Sequence, residues 1–220
     1  MKYAKLKVRL TGITPILGSI AMNKEVFRDY IATNCVTDEE RERAAEDVDN
    51  VKEGETEEEK AVICKSTGFY RDENDYPILK GYQIKGFFKE AARALKDQIG
   101  LTNHVSKVDN YIFILEQNIP LYRMDGTRVK KYDYISSRPL RGMTAQGPRI
   151  SIAVSETIEE YYMDLTIKIL FNKKTAKSKE LDAAVVKELL DYGELKGLLQ
   201  WRNGGYGSFT WELLGEEEVE

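Results

Sequence analysis

The chain has 220 residues, of which 42% are hydrophobic and 32% are charged, and its formal net charge is −4 at pH 7. No apolar run approaches 18 residues, and the first residues alternate charged with apolar side chains, so we expect no membrane-spanning helix, no signal peptide and a cytoplasmic location. Cys35 and Cys64 form no CxxC motif. This spacing predicts reduced thiols and no zinc site.

The charge is unevenly spread along the chain. Residues 38–59 contain twelve acidic and three basic residues, and residues 216–220 contain four more acids. Outside these two segments, 30 basic residues stand against 21 acidic ones. The sequence therefore combines a basic body with acidic appendages, and its negative net charge does not exclude a nucleic-acid partner.

Residues 3–11 alternate apolar with basic side chains, which predicts a strand with one buried and one basic face. A turn follows at residues 14–19. Residues 20–76 break this pattern and are interpreted as an acidic insertion between the first strand and the first helix. Within the insertion, Thr37 begins a capping-box sequence that predicts a helix start. Residues 67–71 resemble the return limb of a hairpin, followed by a turn at 72–77.

Residues 84–99 have the 3.6-residue period of a helix packed on a core. A second stripe of this helix is basic and contains Lys85, Lys89 and Arg93. Gly81 and Gly86 lie at the start of the helix, where lysines and unpaired N–H groups would suit a phosphate. The alternative is an ordinary surface helix with solvated lysines.

Two short strands are predicted at residues 111–115 and 119–122, and the sequence of residues 124–127 predicts a tight hairpin turn. Residues 128–149 are predicted to form a loop with six basic residues and one acid, Asp133. Tyrosines and glycines lie among them, a composition that suits contact with a phosphate backbone. A solvated loop remains the alternative. The basic residues are Arg128, Lys130, Lys131, Arg138, Arg141 and Arg149.

The remaining sequence predicts strands at residues 150–154 and 165–171, then a second helix that Ser178 caps and Gly193 ends. Residues 201–209 contain three glycines in four positions before a last strand. These glycines could let a ligand approach the backbone, or they could only form a tight turn.

With the insertion set aside, the order of elements is strand, helix, strand, strand, helix, strand. This order predicts an α+β protein with a ferredoxin-like (RRM-like) βαββαβ core, a thumb-like insertion at 20–76 and extra loops, all within a single domain over 1–220. Many unrelated functions use this fold, so the fold alone decides nothing about activity.

Three segments resemble the Cas7-like branch of the RAMP superfamily, the RNA-binding backbone subunits of CRISPR effector complexes. The first is the opening strand and turn, with Leu-Thr-Gly at 10–12 and Leu-Gly at 17–18. The second is Gly-Tyr-Gln-Ile-Lys-Gly-Phe-Phe-Lys at 81–89, and the third is the glycine-rich segment 197–209. The chain departs from the family at Lys80, where proline is usual, and at Ser208, where arginine is common.

The resemblance implies a subunit that binds single-stranded guide RNA, multimerises along it and contacts other effector subunits, with the insertion reaching a neighbouring copy. The sequence contains no Ser-His-Asp set, Walker loop or zinc spacing, so we expect a binding subunit with no cofactor, no metal and no catalytic residue. From the resemblance and the basic segments together, the predicted RNA-binding residues are Lys85, Lys89, Arg93, Arg138, Arg141, Arg149, Arg202, Gly204, Gly205, Tyr206 and Gly207.

Two alternatives remain open from the sequence. Related RAMP endoribonucleases often use a histidine near the RNA, and this chain has one, His104, in a polar segment predicted to be a loop. Other Cas7-like subunits cut RNA with a thumb aspartate and a metal ion, but the acidic insertion singles out no aspartate. The second alternative is a viral or mobile-element protein that binds single-stranded DNA or serves in assembly on the same fold.

Overall fold

The computed structural model describes residues 2–22, 66–144, 147–171 and 181–219. The chain is an α+β protein that divides into two compact units. The first unit comprises residues 1–16, 78–129 and 159–220, and the second comprises residues 17–77 and 130–158. The predicted helix start at Thr37 and most of the predicted insertion lie outside the described residues. The single domain with a thumb stays a prediction.

The described part of the chain contains twelve strands and four α-helices. In chain order, the elements before residue 115 are β1 (Tyr3–Gly12), β2 (Ile16–Leu17), β3 (Ile20–Ala21), β4 (Ser66–Gly68), β5 (Tyr70–Arg71), β6 (Pro77–Lys80), α1 (Gly81–Ala94), α2 (Lys96–Ile99), α3 (His104–Tyr111) and β7 (Ile112–Ile114). The later elements are β8 (Asn118–Pro120), β9 (Tyr134–Thr144), β10 (Gly147–Ile158), β11 (Tyr162–Leu170), α4 (Ala183–Asp191) and β12 (Phe209–Val219).

The first unit is built on a four-stranded antiparallel sheet in the order β12–β1–β11–β7. The prediction for the first strand is confirmed, because its apolar residues are all buried while the residues between them are half-buried or exposed. The apolar stripe of α1 is also buried, and Phe87 packs edge-on against Phe209 of β12 with ring centroids 5.1 Å apart. Alternation in β1 and helical periodicity in α1 therefore build one core.

The second unit contains the hairpin of β9 and β10, with β4 parallel to β10 and β3 antiparallel to β4. The prediction of a loop over residues 128–149 is wrong, because β9 and most of the hairpin lie in this range. The sequence of β9 is polar and contains Pro139, so it lacks the apolar alternation by which a strand is predicted.

Two helix predictions need correction. The predicted cap Ser178 lies outside the described residues. Helix α4 begins at Ala183, and its cap is Asp182, whose carboxylate accepts the N–H of Val185 at 2.9 Å. Gly193 does not simply end this helix: it lies in a following 3₁₀ turn, and a β-carbon there would overlap the ring of Phe209. The segment around His104, predicted to be a loop, contributes the start of helix α3. This helix buries only Val108, so its sequence shows no helical repeat of apolar residues.

Several local predictions are confirmed. The turn at residues 124–127 closes with the N–H of Arg123 donating to the carbonyl of Thr127 at 2.8 Å, and the turn at 72–77 closes between Asp72 and Tyr76. The two short strands after α1 occur as β7, which is shorter than predicted, and β8, which begins one residue before its predicted start. No helix in the ranges that the structure describes is long and apolar enough to cross a membrane.

Candidate nucleic-acid interface

The glycine-rich segment 197–208, called here the glycine loop, is anchored on the turn that follows β1. The N–H of Gly207 donates to the carbonyl of Pro15 at 2.9 Å, and the N–H of Leu198 donates to the carbonyl of Gly207 at 2.8 Å. Gly207 is buried with a φ of +73°, and a β-carbon there would overlap the backbone of Leu198. This glycine is therefore required by the turn itself.

Ser208 completes the junction between the glycine loop and the first strand. Its N–H donates to the hydroxyl oxygen of Thr14 at 3.0 Å, the two hydroxyls lie 2.9 Å apart, and its carbonyl accepts the N–H of Ile13 at 2.8 Å. The serine that departs from the family pattern is thus nearly buried and paired with a residue of the opening turn.

The glycine loop is also joined to helix α1, through Glu90. The carboxylate of Glu90 pairs with the ammonium of Lys196 at 3.0 Å and with the guanidinium of Arg202. Lys196 directly precedes the loop and Arg202 lies within it. The glycine loop and α1, two of the segments that carried the resemblance, therefore contact each other in the first unit. The glycine loop also contacts the turn that follows β1.

Lys85 and Lys89 both lie against Asp109 of helix α3. The ammonium of Lys89 is 2.9 Å from the Asp109 carboxylate, and that of Lys85 is 3.6 Å from it and 2.5 Å from the Asp109 carbonyl. The hydrogen bond from Lys89 lowers the pKa of the Asp109 carboxyl, whereas partial burial lowers the pKa of Lys85. Both lysines are therefore paired with Asp109, and neither is simply solvated.

The two glycines of α1 have different roles. Gly81 is buried, its N–H donates to the carbonyl of Gln117 at 2.9 Å, and a β-carbon would lie 2.5 Å from the carbonyl of Glu116. The N–H of Lys80 donates to the side chain of Gln83 at 2.8 Å. These two N–H groups therefore serve the fold, and a phosphate contact at the start of α1 stays a prediction.

Gly86, by contrast, lies on the exposed side of α1, and a β-carbon there would meet no described atom within 4 Å. Glycine inside a helix costs roughly 1 kcal/mol relative to alanine. The packing around Gly86 offers no compensation for that cost. Arg93, two turns further along the helix, is exposed on the same side.

Trp201 and Tyr206 stack within the glycine loop, with ring centroids 5.3 Å apart and an interplanar angle of 24°. Trp201 is 39% exposed and has a φ of +53°, and Gly204 leaves room for its ring, because a β-carbon at Gly204 would come within 2.9 Å of it. Gly205 is exposed, with open space around it. Sequence reasoning named Tyr206 but missed Trp201, although both belong to one Trp-Arg-Asn-Gly-Gly-Tyr sequence.

The other predicted RNA-binding residues belong to the second unit. Arg138 is buried, with 6% of its surface exposed, and donates to the hydroxyl of Ser155 at 3.1 Å. Its predicted phosphate contact is therefore corrected, because alternation along β9 turns this side chain inward. The side chains of Arg141 and Arg149 lie outside the described part of the structure.

His104 and the acidic side chains of the described ranges are the residues that could take part in catalysis. His104 is the first residue of α3 and is half-buried. Among the described residues, no group of three or more His, Cys, Asp or Glu side chains is placed to hold a metal ion.

No protein-family model matches the chain, and no curated protein matches it either.

Proposed function

We propose that this chain binds single-stranded guide RNA as a Cas7-like member of the RAMP superfamily and multimerises along it in a CRISPR effector complex. The observation that carries the proposal is the meeting of the glycine loop, helix α1 and the turn after β1, joined by Glu90, Pro15 and Thr14. The glycine loop lies more than 100 residues after α1 in the sequence, yet it contacts both α1 and the turn after β1 within the first unit.

The proposal extends to the fold. In the first unit, α1 lies between β1 and β7 in the chain, and α4 lies between β11 and β12. This order, with the strands arranged β12–β1–β11–β7, agrees with a ferredoxin-like (RRM-like) βαββαβ core. Helices α2 and α3 and strand β8 are then additions to that core.

The RNA backbone is proposed to follow the exposed side of α1 across Gly86 and to continue onto the glycine loop. Lys85, Lys89, Arg93 and Arg202 would neutralise phosphates. The Trp201–Tyr206 pair would offer an aromatic surface for a base. Lys89 and Arg202 now pair with carboxylates, but partly exposed ion pairs contribute only about 0–1 kcal/mol, so phosphate can replace them.

Replacing Gly86 by alanine should change stability and binding in opposite directions. The free energy of unfolding should rise by about 1 kcal/mol, because alanine is the better helix former and its methyl group meets no neighbour. RNA affinity should fall on the order of tenfold, because the methyl group overpacks a close contact with the ligand. Urea unfolding and fluorescence anisotropy with a labelled oligouridine measure the two effects.

Ala184→Gly is the matched control, since Ala184 is exposed on α4 and lies outside the proposed RNA path. It should lower the free energy of unfolding by about 1 kcal/mol and leave RNA affinity unchanged. An alanine at position 86 that raises stability without weakening binding would contradict the proposed RNA path.

The double substitution Lys85→Ala and Lys89→Ala should weaken binding to every RNA sequence about equally, because phosphate contacts carry no base information. It should also reduce the slope of log affinity against log salt by about 1.4, since each single-strand phosphate contact contributes roughly 0.7. Titrations at several salt concentrations measure this slope.

Asp109→Asn should change RNA affinity in the opposite direction and is therefore the sharper control. It keeps the size of the side chain but releases both lysines from their shared carboxylate, so affinity should rise a few-fold. If neither the double alanine variant nor Asp109→Asn alters affinity or slope, the lysines serve only the contact between α1 and α3. The same titrations with DNA of identical sequence test the alternative of a single-stranded DNA-binding protein.

A further inference from the structure

The sheet of the first unit has one face that packs on the core and an opposite face that carries charged residues. Because Ala4, Leu6, Val8 and Leu10 are buried, the residues that alternate with them point to the other side of β1. We call the basic and aromatic residues at one end of this side the sheet patch. It consists of Tyr3, Lys5 and Lys7 of β1, Lys168 of β11 and Phe113 of β7.

The strand register places these residues side by side. Lys5 is directly opposite Lys168, and Lys168 is directly opposite Phe113, so the three form a row across adjacent strands. The ammonium of Lys168 lies 4.2 Å from the centroid of the Tyr3 ring, and that of Lys5 lies 5.7 Å from it. Phe113 has 38% of its surface exposed, although its side chain is a large apolar ring.

The charge of the sheet patch is poorly compensated. Like charges directly opposite each other on neighbouring strands are destabilising, yet Lys5 and Lys168 occupy such a pair. Among the described residues, Glu217 is the carboxylate that pairs with a lysine of the patch, at 3.6 Å from Lys5. The nearby Asp164 is engaged by Arg9 through two hydrogen bonds of 2.7 and 2.8 Å.

We propose that the sheet patch is a second binding site for single-stranded nucleic acid, separate from the surface formed by α1 and the glycine loop. Bases would stack on Phe113 and Tyr3, and the three lysines of the patch would contact successive phosphates. Lysine suits this role because its flexible stem lets the ammonium turn from the ring to a phosphate. An exposed Phe113 ring and a half-buried Tyr3 ring beside three lysines, of which Lys5 is paired with Glu217, favour a polyanion that also carries aromatic faces.

The two sites lie on opposite sides of the sheet, since α1 packs through Phe87 on the buried side. Lys85 comes near both, because its ammonium lies 4.9 Å from the centroid of the Phe113 ring. The variants that test the sheet patch therefore leave Lys85 unchanged. Gly86→Ala also leaves Lys85 unchanged, so it is the α1 variant with which the patch variants are compared.

The test compares Phe113→Ala and Lys168→Ala with the unaltered chain, using labelled single-stranded RNA at several salt concentrations. Phe113→Ala should weaken binding on the order of tenfold, the usual loss when a stacked base loses its aromatic platform. Lys168→Ala should reduce the salt slope by about 0.7. Glu217→Gln should tighten binding, because it removes the carboxylate paired with Lys5.

Met124→Ala is the control for removing an exposed apolar side chain, since Met124 is 60% exposed in a turn away from the patch, and it should leave affinity unchanged. Thermal melting checks that each variant folds. If Phe113→Ala does not fold, Lys168→Gln and ultraviolet cross-linking of iodouridine-containing RNA decide the question, the cross-link being expected on the peptides that contain Tyr3 or Phe113.

Unchanged affinity and slope in the Phe113→Ala, Lys168→Ala double variant would overturn the sheet patch while leaving the proposed function intact, provided the α1 variants lose binding. Loss of binding in the patch variants alone would support the patch and contradict the α1 surface. Equal competition by a polyglutamate peptide, insensitive to Phe113→Ala, would assign the patch to an acidic protein and overturn the proposal.

Discussion

Gly197→Ala is expected to lower the free energy of unfolding by about 3–4 kcal/mol. A β-carbon at this position would lie far inside van der Waals contact with the carbonyl group of Gly207 and the nitrogen of Ser208. These are backbone atoms, held in place by hydrogen bonds to Pro15 and Thr14. To relieve the overlap, the loop must shift. We expect the shift to cost about 1–3 kcal/mol for overpacking and about 1 kcal/mol for each hydrogen bond that is lost.

Urea unfolding of the variant measures this loss, with Gly205→Ala as the control. Gly205 lies in the same loop but has open space around it, so alanine there carries only the cost of a left-handed backbone, about 1–2 kcal/mol. Similar losses for the two variants would mean that the loop moves easily. The close approach of Gly197 to the backbone of Gly207 and Ser208 would then be unimportant for stability.

In the second unit, Glu156→Ala is expected to destabilise the fold by about 3–5 kcal/mol, because it leaves a buried guanidinium without its carboxylate. One oxygen of Glu156 lies 2.5 Å from the guanidinium of Arg71, and the other accepts the N–H of Phe69 at 3.0 Å. Both charged side chains are more than 90% buried.

The double variant Arg71→Met, Glu156→Leu should recover most of this loss, since a buried ion pair is worth little more than well-packed apolar side chains of similar size. Thermal and urea unfolding of Arg71→Met, Glu156→Leu and the double variant complete a double-mutant cycle. If the double variant is as unstable as Glu156→Ala, the hydrogen bond to Phe69, and not the charge of Arg71, is the main contribution of Glu156.

The elements with strong periodicity could be predicted from the sequence. Alternation located β1 and the 3.6-residue repeat located α1, because in both cases the buried residues follow a regular spacing. Strand β9 and helix α3 could not be located in this way. The former is polar over most of its length, and the latter is too short to show a repeat.

The candidate site was only partly predictable for a similar reason. The basic stripe of α1 and the glycines of the loop are visible in the sequence, but their partners are not. Asp109 lies 20 residues after Lys89, and Arg202 pairs with a carboxylate more than 100 residues earlier. Ion pairs of this kind follow from the tertiary fold, and no local pattern announces them. The same limit applies to Arg138, whose burial depends on the strand that sequence reasoning missed.

The position of β1 in its sheet has a consequence for biogenesis. Its two neighbours, β11 and β12, come from the last third of the chain, and Tyr3 is paired with Val219. A ribosome therefore releases the first strand long before either of its partners exists. The residues that the fold later buries, including Leu6, Val8 and Leu10, therefore stay exposed through most of synthesis. Contacts this distant in sequence are associated with slow folding, so the nascent first unit should depend on chaperones until its final strand has left the exit tunnel.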